Sequence, residues 1–124
     1  MAHILIAEDE VAVRMFVSRA LEYRGHSTVG VEDGGAAIDA MATETFDLLL
    51  TDIVMPVMDG IALALKVSSE YPQMPILMMT GYSHEQQRAH NLECLIHDVI
   101  SKPFSLEELC NTVDGILKNP RKLH

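Results

Sequence analysis

Acidic, hydroxylic and basic side chains follow short apolar runs at four places in the chain. They are Glu8-Asp9-Glu10, then Asp52, then Thr80-Gly81, and last Ser101-Lys102-Pro103-Phe104. Singly, each has an ordinary explanation: acids after a strand cap the next helix, threonine is common there, and Lys-Pro makes a loop. Together they describe one chemistry. Carboxylates gathered at adjacent strand ends repel one another unless a cation neutralises them. An all-oxygen cluster suits Mg2+, which takes a small number of carboxylates together with waters and phosphate oxygens. A lysine supplies a point charge for a phosphoryl oxygen, and a threonine hydroxyl adds a hydrogen bond. Asp52 is then the candidate nucleophile of a phosphoryl transfer.

Groups so far apart in the chain meet only if the elements between them are regular. Apolar runs at residues 4–7, 28–31, 48–51, 76–79 and 99–101 alternate with amphipathic stretches. Four of the runs lack a clean polar alternation, as expected of parallel strands covered on both faces. The second, with Ser27, Thr28 and Gly30, is more polar and suits a sheet edge. Helical periodicity places Val13, Phe16, Val17, Ala20 and Leu21 on one stripe, ended by Gly25. A second helix fits residues 35–43, around Ala37 and Met41. A third has Ile61, Ala64 and Leu65 on one face and stops before Pro72. The last helix opens with Ser105 and Glu108 in capping-box spacing and stripes Leu106, Leu109, Cys110, Val113, Ile116 and Leu117. Residues 83–95 are helical but carry few apolar anchors, so weak packing and easy movement are expected there. Five β-α units predict an α/β fold, an open parallel sheet with helices on both faces and chemistry at the carboxyl ends of its strands.

A length of 124 residues with 48% apolar content suits one domain with one buried core. The net charge of -9 argues against a nucleic-acid partner, and no apolar run approaches the roughly 18–20 residues that span a membrane. Cys94 and Cys110 have no ligand-like spacing, which suits a reduced, cytoplasmic protein with Cys110 in the core. His84, His90 and His97 are not spaced as a helical ligand pair, so a solvated face is expected rather than a metal site. The eight methionines read mainly as core filler.

The run LLLTDIVMPVMDG, with ILIAEDE before it and MMTGY and SKPF after it, resembles the response-regulator receiver domain. The resemblance covers about residues 3–118 and implies one receiver domain over 1–124 with no output domain. It further implies a flavodoxin-like (βα)5 doubly wound parallel sheet with strand order 2-1-3-4-5. By that resemblance Asp52 is the phosphoacceptor. Asp9 is a direct Mg2+ ligand, Glu8 acts through a metal-bound water, and Val54 offers its backbone carbonyl. Thr80 and Lys102 contact the phosphoryl group, Gly81 leaves it accessible, and Pro103 follows a cis bond. The implied upstream partner is a sensor histidine kinase or a histidine phosphotransfer protein. The implied downstream partner is a protein target bound through the segment 83–95, the fifth strand and the last helix. The chain would catalyse only its own phosphorylation and dephosphorylation.

Two positions depart from the usual pattern. The family places an aromatic ring three residues before the lysine, and here that residue is Val99, stiff at χ1 and without a ring. Signal is therefore expected to leave through the loop after Thr80 and the weakly anchored segment that follows. Tyr82 and Val54 would flank the phosphoryl group and shield it from water. The alternative function is a metal-dependent phosphohydrolase with an aspartyl nucleophile. It needs a second aspartate two residues after the first, and Val54 stands there. A flavin site would need a glycine- and hydroxyl-rich loop where this chain has acids.

Overall fold

The computed structural model describes residues 2–81 and 95–119. Five strands, β1 (His3–Ala7), β2 (Ser27–Val31), β3 (Leu48–Asp52), β4 (Ile76–Thr80) and β5 (Asp98–Ser101), pair in parallel in the order 2-1-3-4-5. Around them lie α1 (Val11–Tyr23), α2 (Gly34–Thr43), α3 (Gly60–Glu70) and α4 (Leu106–Lys118). The segment 83–95 falls outside the described residues up to position 94, and with it Tyr82, His84, His90 and Cys94.

Strand side chains alternate across the sheet, and both faces are apolar, so the sheet divides the core in two. Ile4, Ile6, Leu48, Leu50, Leu77 and Met79 pack with Val17 and Leu21 of α1 and with Leu109 and Val113 of α4. Leu5, Leu49 and Met78 pack on the other side with Ala37 and Met41 of α2 and with Leu63 and Val67 of α3. Every residue of β3 and β4 is buried, as their unbroken apolar runs require. β2 is only half-buried, as an edge strand with Ser27 and Gly30 would be. Cys110 is a free, buried core thiol, and His97 takes a structural role, its Nδ1 accepting from the Ile76 N–H at 3.2 Å.

Three side chains assigned to apolar stripes lie nearer to water. Leu65 is 51% exposed, and α3 instead buries Leu63, Ala64 and Val67. Leu106 and Phe16 sit at the edges of their apolar stripes, Phe16 tilted against Phe104 at 6.3 Å between ring centroids. A stripe about 100° wide fixes which side of a helix faces inward but not which marginal residue the neighbours cover.

Three helices are capped by side chains. The Asp33 carboxylate accepts from the Ala36 N–H and that of Asp59 from the Ala62 N–H. Ser105 and Glu108 form the reciprocal capping box that their spacing predicts. Ser105→Ala is expected to destabilise the domain by about 1 kcal/mol. A chemical-denaturation midpoint equal to that of the wild type would show that the cap contributes nothing.

Candidate phosphoacceptor and metal site

The topology brings the four polar strand ends to one edge. β1 and β3 are neighbours, so Glu8, one residue beyond β1, stands beside Asp52 at the end of β3. Lys102, one residue beyond β5, reaches across to both. Its Nζ lies 2.8 Å from Glu8 Oε1 and 3.0 Å from Asp52 Oδ2. The other carboxylate oxygens are held by main chain: the Ile53 N–H donates to Asp52 Oδ1 and the Glu10 N–H to Glu8 Oε2, each at 3.0 Å. Glu8 is 1% exposed and Asp52 7%, whereas Asp9 is open to solvent.

Burial decides the electrostatics. Desolvation pushes the Asp52 carboxyl above its ordinary pKa although Lys102 pulls it down. Desolvation raises Glu8 in the same way, with the neighbouring Asp52 charge adding to it and Lys102 opposing. Burial also disfavours the Lys102 ammonium, but its hydrogen bonds and charge contacts with the two acids outweigh this and raise it. The pocket holds more negative charge than its single lysine neutralises.

That imbalance is the test for a cation. Glu8, Asp9 and Asp52 each offer an oxygen within 4.8 Å of the others, an all-oxygen set of the kind Mg2+ prefers. Thr80 gives a second observation. It is fully buried at the end of β4, and its Oγ1 is the one buried side-chain polar atom among the described residues with no hydrogen-bond partner. A buried hydroxyl without a partner costs stability, so an acceptor arriving from outside would complete it. The Lys102 N–H donates to the Thr80 carbonyl at 2.7 Å, tying the two residues through the backbone.

Other expected positions fall as follows. Val54 is half-exposed in the loop after β3, Gly81 is exposed directly after Thr80, and the Lys102-Pro103 bond is cis. Val99 is half-buried in β5 opposite Met78 and packs with the α2–α3 side of the core. Tyr82, the expected shield, lies outside the described residues.

Gly60 escaped the sequence reading. A Cβ there would stand 1.9 Å from the Asp52 carbonyl oxygen, and the Gly60 N–H donates to the Ile53 carbonyl at 2.7 Å. The helix start thus presses directly on the backbone of Asp52. The pair Asp59-Gly60 signals a capped turn, but nothing local reveals that close approach.

Residues 4–114 match the family model of the response regulator receiver domain. The response regulator receiver protein CpdR of Brucella abortus is 38% identical over 117 residues, covering 94% of this chain and 98% of that protein. The transcriptional regulator NtrC of Klebsiella pneumoniae is 35% identical over 92% of this chain, which spans only 24% of NtrC. The receiver domain of Francisella response regulator 1452 superposes with a TM-score of 0.87 at 25% identity, covering 98% of this chain and all of that one. The chain belongs to the response-regulator receiver family. It is a signalling module of the two-component type, and these matches lend no support to a phosphohydrolase.

Proposed function

We propose that the chain accepts a phosphoryl group on Asp52 and thereby changes which protein surfaces it binds. The observation that carries this reading is the unpartnered Thr80 hydroxyl at the end of β4, next to the strand that ends in the buried Asp52 carboxylate, which shares Lys102 with Glu8. Glu8, Asp9, Asp52 and the Val54 carbonyl are the groups that would hold Mg2+. That ion, when bound, offsets the negative charge of the incoming phosphoryl oxygens.

An Asp52 carboxylate oxygen attacks phosphorus, and the bond from phosphorus to the donor breaks with its electron pair leaving on the donor. The Ile53 N–H keeps the Asp52 carboxylate oriented during approach. Lys102 exchanges carboxylate contacts for a phosphoryl oxygen, and the Thr80 hydroxyl donates to another. Gly81 leaves room for entry. A histidine kinase upstream accords with the family, and a histidine phosphotransfer protein could serve as the donor instead. The downstream target is a protein that reads the surface after Thr80, β5 and α4, and with Val99 in place of a ring the Thr80 side carries the change. Catalysis is confined to the chain's own phosphorylation and dephosphorylation. A cytoplasmic setting without nucleic acid fits the acidic charge, and no described helix is long and apolar enough to cross a membrane.

Incubation with acetyl phosphate and Mg2+, followed by intact mass measurement, tests the assignment. The wild type should gain the mass of one phosphoryl group and Asp52→Asn should not. Uptake by both proteins, or by neither, would sink the reading.

A further inference from the structure

The turn between β1 and α1 is built unlike the other helix starts. Asp33, Asp59 and Ser105 cap α2, α3 and α4 with their side chains, but Glu10, the residue that begins α1, makes no side-chain cap. The turn is pinned instead around Glu8, all of whose polar groups are engaged. Its N–H donates to the Val31 carbonyl of β2 at 3.0 Å, and its carboxylate takes the Glu10 N–H and the Lys102 ammonium. Its carbonyl accepts from Arg14 Nη1 at 2.8 Å. Arg14 lies one turn into α1, its own N–H bonded to the Glu10 carbonyl. Its stem crosses β2 over Gly30, where an added Cβ would come within 3.1 Å of the Arg14 Cγ and Cδ. Edge strands favour β-branched residues, so the bare position at Gly30 leaves a channel for this side chain.

The geometry points to Arg14 as a positioning residue for the acidic pair: it fixes the Glu8 carbonyl, and Gly30 provides the passage it needs. The inference rests on the Mg2+ reading of the site given above. Three successive carboxylates repel one another, and the Glu8 carboxylate is already committed to the Glu10 N–H and Lys102. A guanidinium at the Glu8 carbonyl holds the turn by its main chain and leaves Asp9 free to face the metal. It also brings a cation to a turn whose own charges oppose its folding. Groups that orient metal ligands in this way change affinity by about 10–100-fold when removed.

Arg14→Met keeps most of the stem and deletes the guanidinium. Calorimetric Mg2+ titration of the unphosphorylated protein should show dissociation about tenfold weaker than in the wild type. The Mg2+ concentration for half-maximal uptake from acetyl phosphate should rise in step, with the rate at saturating Mg2+ retained. Arg14→Lys should recover most of the affinity. Gly30→Val, which displaces the side chain while suiting a strand, should weaken Mg2+ binding in the same way, and it carries the test if Arg14→Met does not fold. Wild-type Mg2+ affinity in the folded variant, or a lower maximal rate at an unchanged Mg2+ requirement, would overturn the assignment. Because Mg2+ binding is read without any phosphoryl donor, a failure of Asp52 as acceptor would show separately.

Discussion

Lys102→Met is expected to slow phosphoryl uptake at Asp52 by about a hundredfold or more, the usual effect of removing one preorganised donor from a developing charge. The same change should make the folded state depend on Mg2+. Lys102 is the one basic side chain among the described residues paired with the Glu8 and Asp52 carboxylates, and both acids are almost fully buried. Removing one partner of such a group leaves uncompensated charge and costs about 3 kcal/mol, toward the lower end of the range because the lysine keeps contact with solvent. Pulsed denaturation with and without Mg2+ measures this directly. A Lys102→Met protein as stable as the wild type without Mg2+ would refute the charge argument, whatever its rate of phosphorylation.

The pH dependence has a definite sign. Burial holds the Asp52 and Glu8 carboxyls above their ordinary values. In the window between the unfolded values, about 4, and the raised folded ones, the folded chain binds more protons than the unfolded chain. Stability of the Mg2+-free protein should therefore rise as pH falls through the folded values, and this gain should be complete below about pH 4. Lys102 lowers both acids, so Lys102→Met extends the window upward. Saturating Mg2+ should flatten it, since bound cation and bound proton relieve the same repulsion.

Gly60→Ala should have the larger effect on stability, a loss of about 4 kcal/mol or more. The atom that a Cβ would meet at 1.9 Å is the Asp52 carbonyl oxygen, part of the backbone rather than a flexible side-chain tip. That carbonyl also accepts the Thr51 hydroxyl at 2.9 Å, and Ile53 beside it is fully buried, so the strand end has little room to yield. With total stability of about 5–15 kcal/mol for an ordinary domain, the variant should unfold at markedly lower denaturant. The fraction still folded should take up phosphoryl groups poorly, because a packed α3 leaves the Asp52 backbone as the part that gives way. A midpoint close to the wild type would mean that α3 shifts freely, contrary to its packing through Leu63 and Val67.

The parallel sheet and the polar strand ends were legible in the sequence, since Glu8, Asp52, Thr80 and Lys102 each follow an apolar run, whereas the strand order that makes those ends neighbours came from the resemblance to the receiver family. The margins of the helices were not. Leu65 and Phe16 match the helical period as well as their buried neighbours do, and only the neighbouring elements decide coverage. Gly60 and Arg14 were missed because their roles exist between elements: a glycine is marked by what lies against it, and an arginine by a carbonyl six residues back. The motif supplied Asp52, but the unpartnered state of Thr80 belongs to the fold alone.

The sheet parts the interior into two apolar chambers that share no helix among the described residues, one under α1 and α4 and the other under α2 and α3. Adjacent residues of β5 serve different chambers, Val99 one and Ile100 the other, and both strands bearing Asp52 and Thr80 do the same. A charge added at the open end of this partition therefore presses on both rooms at once.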